Sequence, residues 1–275
     1  MSSATTENLA EELLELAAAT AREAARMLVD KRPVDGPDVV QTKSSPTDVV
    51  TQMDRAAERL IIERIRAARP DDAFLGEEGG DRAGGSGVRW VIDPIDGTVN
   101  YLYDLPDWAV SIAAEVDGET VAGAVEMPRR GESFTAVRGG GALLHTASGT
   151  RELRVNADVP LAKALVATGF GYEARRRARQ AQILTGVLPK VRDIRRGGSC
   201  CADLCSLAAG RVDAYYERGV HAWDTAAGAL IVQEAGGRVG GLHGAPAGPE
   251  LIIAAGPGTF EALHDLLAPL DPLGD

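Results

Sequence analysis

The chain has 275 residues, of which 45% are hydrophobic, and a formal net charge of −11. A chain of this length can bury a large core, and its negative charge opposes non-specific binding to nucleic acid. No stretch approaches the roughly 18 consecutive apolar residues of a membrane span, and the polar, acidic amino terminus lacks the pattern of a signal peptide. These features predict a soluble, globular, cytoplasmic protein that binds neither membranes nor nucleic acid.

A helix and a loop are predicted at the start of the chain. Leucine and alanine keep helical spacing over residues 9–28, which predicts a helix that ends before Pro33. A loop rich in Asp, Gly and Pro follows over residues 31–42 and leads into Lys43, a candidate cation for attracting a phosphate. This loop is either a flap that becomes ordered when metal binds or a plain surface loop.

A second helix is predicted after the segment Lys43-Ser44-Ser45-Pro46-Thr47-Asp48. Its apolar residues recur on one helical face: Met53, Ala57, Leu60, Ile61 and Ile65. Either Thr47 or Asp48 could simply cap this helix, which is the structural alternative to a functional role for the segment.

Two acidic motifs each follow a short apolar strand candidate. Ala73-Phe74-Leu75 precedes Gly76-Glu77-Glu78-Gly79, and Trp90-Val91-Ile92 precedes Asp93-Pro94-Ile95-Asp96-Gly97-Thr98. The proline keeps Asp93 extended, Gly97 can take a backbone conformation closed to other residues, and Thr98 can start a helix. Carboxylate ligands beside free main-chain amides suit Mg²⁺ shared with a phosphate. Either motif alone could also be an ordinary acidic turn.

The pattern changes near the middle of the chain. Residues 109–116 and 119–125 flank Asp117-Gly118, which predicts an antiparallel hairpin. Beyond about residue 154, apolar runs alternate with helical stretches, which is typical of α/β structure. The runs cover residues 164–168 and 251–255, and the helical stretches cover residues 175–187, 199–209, 225–234 and 258–267. The pattern therefore predicts an α+β half (residues 1–150), which carries the antiparallel sheet and the acidic motifs, and an α/β half (residues 151–275).

Two carboxylates of the second half are candidate functional groups. Asp224, in Trp223-Asp224, precedes an alanine-rich helix and is either a metal ligand or the cap of that helix. Glu217, in Ala214-Tyr215-Tyr216-Glu217, either accepts hydrogen bonds from vicinal hydroxyls or is a solvated carboxylate at a strand end. The basic run Arg175-Arg176-Arg177 is expected to form a solvated helix face rather than a polyanion site.

The cysteines are expected to be buried and unpaired. Cys200, Cys201 and Cys205 lack the spacing of a structural zinc site, and the last two lie four residues apart on a predicted helix. An odd count argues against a complete disulfide framework and suits a reducing compartment.

Several segments together resemble the inositol monophosphatase family: residues 43–54, 76–78, 90–100, 198–199 and 214–224. The resemblance runs from about residue 10 to about residue 260. The motifs Arg195-Arg196-x-Gly198-Ser199 and Asp203-Leu204-Cys205 are most similar to those of the bacterial branch that includes the extragenic suppressor type of phosphatase. The resemblance implies a layered αβαβα sugar-phosphatase fold of mixed α+β and α/β character, a homodimer, Mg²⁺ dependence and inhibition by Li⁺. It also implies that the two halves form one compact catalytic unit, in which the second half completes the active site at the metal-binding motifs of the first.

The resemblance implies two or three Mg²⁺ ions at the acidic motifs. A first ion would be held by Glu77, Asp93 and the carbonyl of Ile95, and a second by Asp93, Asp96 and Asp224. Asp93 would bridge the two, and a weaker third ion would lie near Glu77. Divalent ions would neutralise carboxylates that otherwise repel one another.

The resemblance also implies the catalytic groups. A water activated by the first ion would attack the phosphorus without a covalent phosphoenzyme. Thr98 and Glu77 would orient and deprotonate that water, and Asp48 would support the Thr98 hydroxyl. The amides of Gly97 and Thr98 would hold the phosphate.

Substrate contacts are implied for a further set of positions: Asp96, Gly97, Thr98, Arg195, Gly198, Ser199, Cys200, Glu217 and Asp224. This chain departs from its branch at Cys200-Cys201, where alanines are usual, and at Gly197, where a bulkier residue is common. We therefore expect a slightly different edge of the pocket.

The leading function that the resemblance implies is hydrolysis of a small polyol phosphate, with myo-inositol monophosphate as the substrate. Histidinol phosphate, fructose 1,6-bisphosphate and 3′-phosphoadenosine 5′-phosphate are alternatives within the same chemistry. Glu217 favours inositol over the nucleotide, and a bisphosphate would require a further basic cluster that the sequence does not locate. A regulatory protein that binds RNA polymerase is an alternative of a different class.

Overall fold

The computed structural model describes residues 3–42, 49–79 and 81–274. Its first part contains two helices and a small antiparallel hairpin between them: α1 (Ser3–Asp30), β1 (Val39–Thr42), β2 (Val49–Thr51) and α2 (Gln52–Ala68). The predicted opening helix is confirmed. Lys43, Thr47 and Asp48 lie outside the described residues, so what the sequence predicts for them stays a prediction.

A seven-stranded sheet follows, with its strands side by side in chain order. Its elements are β3 (Ala73–Gly76), β4 (Val88–Asp96), the short helix α3 (Thr98–Leu102), β5 (Ala109–Val116), β6 (Glu119–Met127), β7 (Glu132–Val137), β8 (Gly141–Thr146) and β9 (Gly149–Glu152). β3 and β4 run parallel, and each later pair of neighbours runs antiparallel. The carboxyl ends of β3 and β4 therefore meet at one edge.

A five-stranded sheet is built by the second half. Its elements in chain order are β10 (Leu165–Thr168), α4 (Ala174–Val187), β11 (Asp193–Arg195), α5 (Cys200–Ala208), β12 (Ala214–Glu217), α6 (Ala222–Glu234), β13 (Arg238–Gly240), β14 (Ile252–Ala255) and α7 (Pro257–Leu267). The spatial order is β11-β10-β12-β14-β13, and β10 runs parallel to both of its neighbours. The proposed division of the chain near residue 150 stays a prediction.

Three apolar cores separate the layers. One core joins α1 and α2 to one face of the seven-stranded sheet, a second holds α5 and α6 between the two sheets, and a third packs α4 and α7 on the outer face of the five-stranded sheet. The order of layers is therefore αβαβα, which confirms the predicted fold class. None of the described helices has the length and hydrophobicity to cross a bilayer.

Local signals account for most of these elements. Asp117 and Gly118 both have positive φ, 52° and 85°, as the tight turn between β5 and β6 requires. The structure corrects the loop predicted over residues 31–42, because residues 39–42 pair with β2 as a strand. Among the described residues the cap of α2 is Thr51, whose hydroxyl accepts from the Met53 and Asp54 amides.

Candidate active site

Two parallel strands bring the first acidic motifs together. Glu77 directly follows β3, and its amide donates to the Ile92 carbonyl of β4 at 3.3 Å. Asp93 and Asp96 lie near the end of β4, with 1% and 7% of their surface exposed. A carboxylate oxygen of Asp93 accepts from the Ile95 amide at 3.0 Å, which fixes the turn between the two aspartates. The parallel register of β3 and β4 therefore brings these residues to one edge of the sheet.

Asp224 reaches the same place from the other half of the chain. It lies in the first turn of α6, and its carboxylate accepts from the His221 amide at 2.6 Å. One oxygen each of Asp93, Asp96 and Asp224 lie within 4.8 Å of one another. Asp224 thus caps its helix and also faces the cluster, so the two alternatives left open by the sequence are compatible.

Burial and mutual repulsion dominate the electrostatics of this acidic cluster (Asp93, Asp96 and Asp224). Burial, followed by the charges of Glu77, Asp96 and Asp224, raises the pKa of Asp93 well above its usual range. Burial raises the pKa of Asp96 to about 6 and that of Asp224 also well above its usual range. These carboxylates, buried at Asp93 and Asp96 and half-buried at Asp224, repel one another and offer only oxygen donors, which fits a hard divalent cation.

Asp96 is also bonded to the second half of the chain. Its carboxylate accepts from the Ser199 hydroxyl at 2.7 Å and from the amides of Cys200 and Cys201. Ser199 in turn caps α5 by accepting from the Ala202 amide at 3.1 Å. These bonds join the metal-binding motif of β4 to the segment that is predicted to contact the alcohol half of a substrate.

Gly97 forms the tight turn after β4. Its φ is +91°, and a Cβ there would lie 3.0 Å from the Asp107 carbonyl oxygen and 3.1 Å from the Ser199 Cβ. A side chain at position 97 would therefore be strained and would clash with both halves of the chain. Only a glycine lets the turn pack this closely and leaves the main chain of residues 97 and 98 open to the cavity.

Thr98 has a supporting carboxylate that the sequence did not reveal. Its hydroxyl donates to Asp54 at 3.1 Å and to the Ile95 carbonyl, also at 3.1 Å. Asp54 accepts from the Thr51 amide and hydroxyl, and burial raises its pKa to about 7. The available signal was a carboxylate beside Met53 on the buried face of α2. The role predicted for Asp48 stays untested.

A cavity of about 370 Å³ opens over the cluster. The described residues that were predicted for the site line it, with one exception: Glu77, Asp93, Ile95, Asp96, Gly97, Thr98, Gly198, Ser199, Cys200, Glu217 and Asp224. The exception is Arg195, which is exposed and donates to Asp193 at 2.7 Å. Its neighbour Arg196 lines the cavity instead.

Glu217 faces the cavity from the end of β12. The Tyr215 hydroxyl donates to its carboxylate at 2.7 Å, and burial raises its pKa to about 7. A Cβ on Gly169 would lie 2.0 Å from a Glu217 carboxylate oxygen, so this glycine makes room for the acid. The Glu217 carboxylate is therefore half-buried and held in place by a hydrogen bond, so it can act as an acceptor in the cavity and is not a solvated group at a strand end.

The cysteines pack as predicted. All three are free and buried, and burial raises the pKa of each thiol well above its usual range. The Cys201 thiol donates to the Asp224 carbonyl at 3.0 Å. The structure explains the glycine at position 197, because a Cβ there would lie 2.5 Å from a carboxylate oxygen of Asp203.

Asn100 links the two halves of the chain by hydrogen bonds. Its amide nitrogen donates to the carbonyls of Asp107 and Gly197, the latter at 2.9 Å, and the residue is 5% exposed. Asn100→Asp removes the donor but not the volume, so we expect urea unfolding to show a loss of about 1–3 kcal/mol. Asn8→Asp on the exposed face of α1 is the matched control. Equal midpoints for the two variants would contradict this role.

The buried acids predict an unusual pH dependence for the metal-free protein. Asp54, Asp96 and Glu217 have native pKa values of about 7, 6 and 7, above the values near 4 of an unfolded chain. The native state therefore binds more protons between about pH 4 and 7, and the stability that these groups contribute below pH 4 is lost progressively as the pH rises from about 4 to about 7.

Thermal unfolding of Asp54→Asn isolates one of these groups. Its melting temperature in EDTA should fall less between about pH 5 and 8 than that of the unmodified protein. Parallel curves for the two proteins would show that Asp54 does not titrate in this range.

Comparison with known proteins agrees with this geometry. The sequence model described as the inositol monophosphatase family matches residues 9–270. The protein named inositol-1-monophosphatase SuhB of Mycobacterium tuberculosis (strain ATCC 25618 / H37Rv) is 48% identical over 265 residues, which cover 93% of this chain and 91% of that protein. The protein named Nus factor SuhB of Pasteurella multocida (strain Pm70) is 46% identical over 209 residues, which cover 75% and 77%.

A solved structure shows the same fold. The extragenic suppressor protein suhB from Bartonella henselae superimposes with a TM-score of 0.86 at 36% sequence identity, covering 94% of this chain and 98% of that chain. The family model, which matches residues 9–270, includes both the acidic cluster and the segments around Ser199 and Glu217.

Proposed function

This chain belongs to the inositol monophosphatase family and is a phosphatase, and we propose that it hydrolyses myo-inositol monophosphate with Mg²⁺ as its cofactor. The observation that carries the proposal is that one cavity holds the acidic cluster at one end and Glu217 beside it. The first can bind cations with a phosphate, and the second can accept hydrogen bonds from the hydroxyls of a polyol.

The residues that would hold the ions follow from the donor set. Glu77, Asp93 and the Ile95 carbonyl would bind one Mg²⁺, and Asp93, Asp96 and Asp224 a second, with a weaker third near Glu77. Bound Mg²⁺ would supply positive charge for the phosphate and acidify an attacking water. Hydrogen bonds already hold the ligands on β4 in position, because the Ile95 amide donates to Asp93, the Thr98 hydroxyl donates to the Ile95 carbonyl and the Ser199 hydroxyl donates to Asp96.

Thr98, Asp54 and Glu77 would orient and deprotonate the attacking water. Because the Thr98 hydroxyl donates to Asp54, its oxygen is free to accept a hydrogen bond from a water in the cavity. Glu77 lines the same cavity and is the group that would take the proton of that water. Asp54 thus orients the threonine, and Thr98 orients the nucleophile.

Glu217 would select the alcohol half of the substrate. The Tyr215 hydroxyl bond fixes the position of its carboxylate, which leaves the other oxygen to accept from a ring hydroxyl. A substrate without that hydroxyl would leave a buried acceptor unpaired, which costs roughly 1–3 kcal/mol. The cytoplasmic location and the homodimer inferred from the sequence remain predictions beside this one.

Phosphate release tests the proposal. The substrates are myo-inositol 1-phosphate, histidinol phosphate, fructose 1,6-bisphosphate and 3′-phosphoadenosine 5′-phosphate, each with and without Mg²⁺ and with added Li⁺. We expect Mg²⁺-dependent preference for the inositol ester and inhibition by Li⁺. Preference for another ester would overturn the role of Glu217, and release without Mg²⁺ would overturn the role of the acidic cluster.

A regulatory function is the second candidate, because a relative of this chain carries the name Nus factor. Such a role would require binding to a partner such as RNA polymerase and no turnover. Pull-down of polymerase by Asp93→Asn discriminates the two roles. Binding of polymerase by a catalytically dead variant would support the regulatory role. If neither the unmodified protein nor Asp93→Asn binds polymerase, only the enzymatic role remains.

A further inference from the structure

The part of the cavity that contains Glu217 is formed by two loops that follow neighbouring strands. β10 and β12 run parallel and side by side, so Gly169 and Glu217 leave the sheet next to each other. The first loop (residues 169–172) and the second loop (residues 218–221) both line the cavity. The distance between these loops therefore sets the space in which the Glu217 carboxylate lies.

The Glu217 carboxylate packs closely against its surroundings. A Cβ on Gly169 would lie 2.0 Å from one of its oxygens, and the Tyr215 hydroxyl donates to that oxygen at 2.7 Å. The small cavity that Glu217 shares with Gln180 and Pro272 has a volume of about 10 Å³, which is room for at most one water. A small separation of the two loops would therefore remove the carboxylate from its contact with the first loop.

Gln180 joins the two loops from the buried face of α4. It is 8% exposed and lies in one row with Ile183 and other buried apolar residues. Its side-chain oxygen accepts from the Gly171 amide at 2.9 Å, and its side-chain nitrogen donates to the Arg218 carbonyl at 3.4 Å. A buried amide is costly unless its polar atoms are paired, and here they pair with the main chain of both loops. One of these bonds is to the residue that directly follows Glu217.

Arg176, one turn earlier on α4, packs across the same two loops. Its Cδ would be 2.8 Å from a Cβ on Gly171, and its Nη1 would be 2.6 Å from a Cβ on Gly219. Because neither position has a side chain, the arginine lies directly against both main chains. Packing by Arg176 and hydrogen bonding by Gln180 therefore act on the same pair of loops.

A segment near residue 270 also links α4 to the second loop. Arg179 Nη2 donates to the Leu270 carbonyl at 2.9 Å, and Arg218 Nη1 donates to the Gly274 carbonyl at 2.8 Å. This link does not involve the side chain of Gln180. Loss of the Gln180 bonds should therefore loosen the two loops without unfolding them.

We propose that Gln180 is a positioning residue for the alcohol half of the substrate, because it holds the two loops at the separation at which Glu217 can accept from a substrate hydroxyl. This inference rests on the proposed function, in which Glu217 is that acceptor. Among the described residues, Gln180 is not one that lines the cavity over the acidic cluster, so it acts through the loops. Removal of its amide should weaken substrate binding and leave the reaction at the acidic cluster unchanged.

A purely structural role is the alternative for Gln180. It would pair two buried main-chain groups and contribute only to the stability of the fold. Its loss would then lower the melting temperature without changing the KM of the molecules that remain folded. The ratio of effects on KM and kcat therefore separates the two roles.

The test measures kcat and KM for myo-inositol 1-phosphate in Gln180→Met, in which the side chain has a similar volume and no amide. We expect KM to rise about tenfold and kcat to stay within about twofold, because the ground state and the transition state lose the same interaction. In the Glu217→Ala background the substitution should have no further effect, because the group that Gln180 positions is absent. Gln182→Met, at an exposed glutamine of the same helix, is the matched control and should keep both constants.

Three results would overturn the positioning role: an unchanged KM in Gln180→Met, a fall in kcat at unchanged KM, or an equal rise in KM with and without Glu217. If Gln180→Met is unfolded at the assay temperature, Gln180→Asn replaces it, because its amide is one methylene too short to reach both loops, and the same results decide.

Failure of the proposed function gives a different result. The unmodified protein would then not hydrolyse myo-inositol 1-phosphate, and calorimetric binding of this compound in the presence of Ca²⁺ would decide the inference. Binding about tenfold weaker in Gln180→Met than in the unmodified protein upholds it. Equal binding, or no binding by either protein, overturns it.

Discussion

The Asp93→Asn substitution is expected to lower Mg²⁺-dependent phosphate release from myo-inositol 1-phosphate by at least about a thousandfold. Asp93 is 1% exposed, and one of its carboxylate oxygens lies within 4.8 Å of an oxygen of Asp96 and of Asp224, so its charge belongs to the proposed cation site. Asparagine keeps the volume but removes a negative charge from the proposed cation site. Steady-state kinetics over a range of Mg²⁺ concentrations measures the effect, with the exposed Asp71→Asn as control.

The same substitution should stabilise the protein when metal is absent. Burial and the surrounding carboxylates raise the pKa of Asp93 well above its usual range, which means that its charged form is disfavoured in the native state. A neutral side chain removes that repulsion, so the melting temperature in EDTA at pH 8 should rise while the stabilisation by Mg²⁺ disappears. A variant that is inactive because it unfolds would show a lower melting temperature instead, which would contradict this explanation.

The Asp54→Asn substitution is expected to lower kcat by about a hundredfold with a small change in KM. Asp54 contacts the Thr98 hydroxyl and lines no part of the cavity, so it acts by orienting that hydroxyl. Thr98→Ala should cause a similar loss, and the double variant should be no worse than either single one, because the two residues act as a unit. Additive losses would show that they act separately.

Asp48→Asn provides the discriminating comparison for Asp54. The family resemblance assigned the support of Thr98 to Asp48, whereas the structure shows the bond from Thr98 to Asp54. We expect Asp48→Asn to keep most of the kcat that Asp54→Asn loses. The reverse outcome would return the supporting role to Asp48.

The elements that could be predicted are those with local signals. The spacing of leucine and alanine in α1 and the Asp117-Gly118 turn both act through neighbouring residues, and both are confirmed. The strands β7, β8, β9, β11 and β13 were not predicted, because they are three to six residues long and depend on partners elsewhere in their sheets.

Contacts between distant segments explain what was missed in the site. The Thr98–Asp54 bond spans 44 positions and the Asn100–Gly197 bond spans 97, so no motif contains both partners. Arg195 and Arg196 illustrate a finer problem. β11 ends at Arg195, and successive side chains at a strand end point in different directions, so a one-residue difference decides which arginine faces the cavity.

Anomalous diffraction from crystals soaked in Mn²⁺ and inorganic phosphate tests the central claim most directly. We predict anomalous peaks between Asp93, Asp96 and Asp224 and between Asp93 and Glu77, with phosphate against the turn at Gly97. Absence of peaks at these carboxylates, at a Mn²⁺ concentration that supports phosphate release, would contradict the assignment of the acidic cluster as the metal site of this phosphatase.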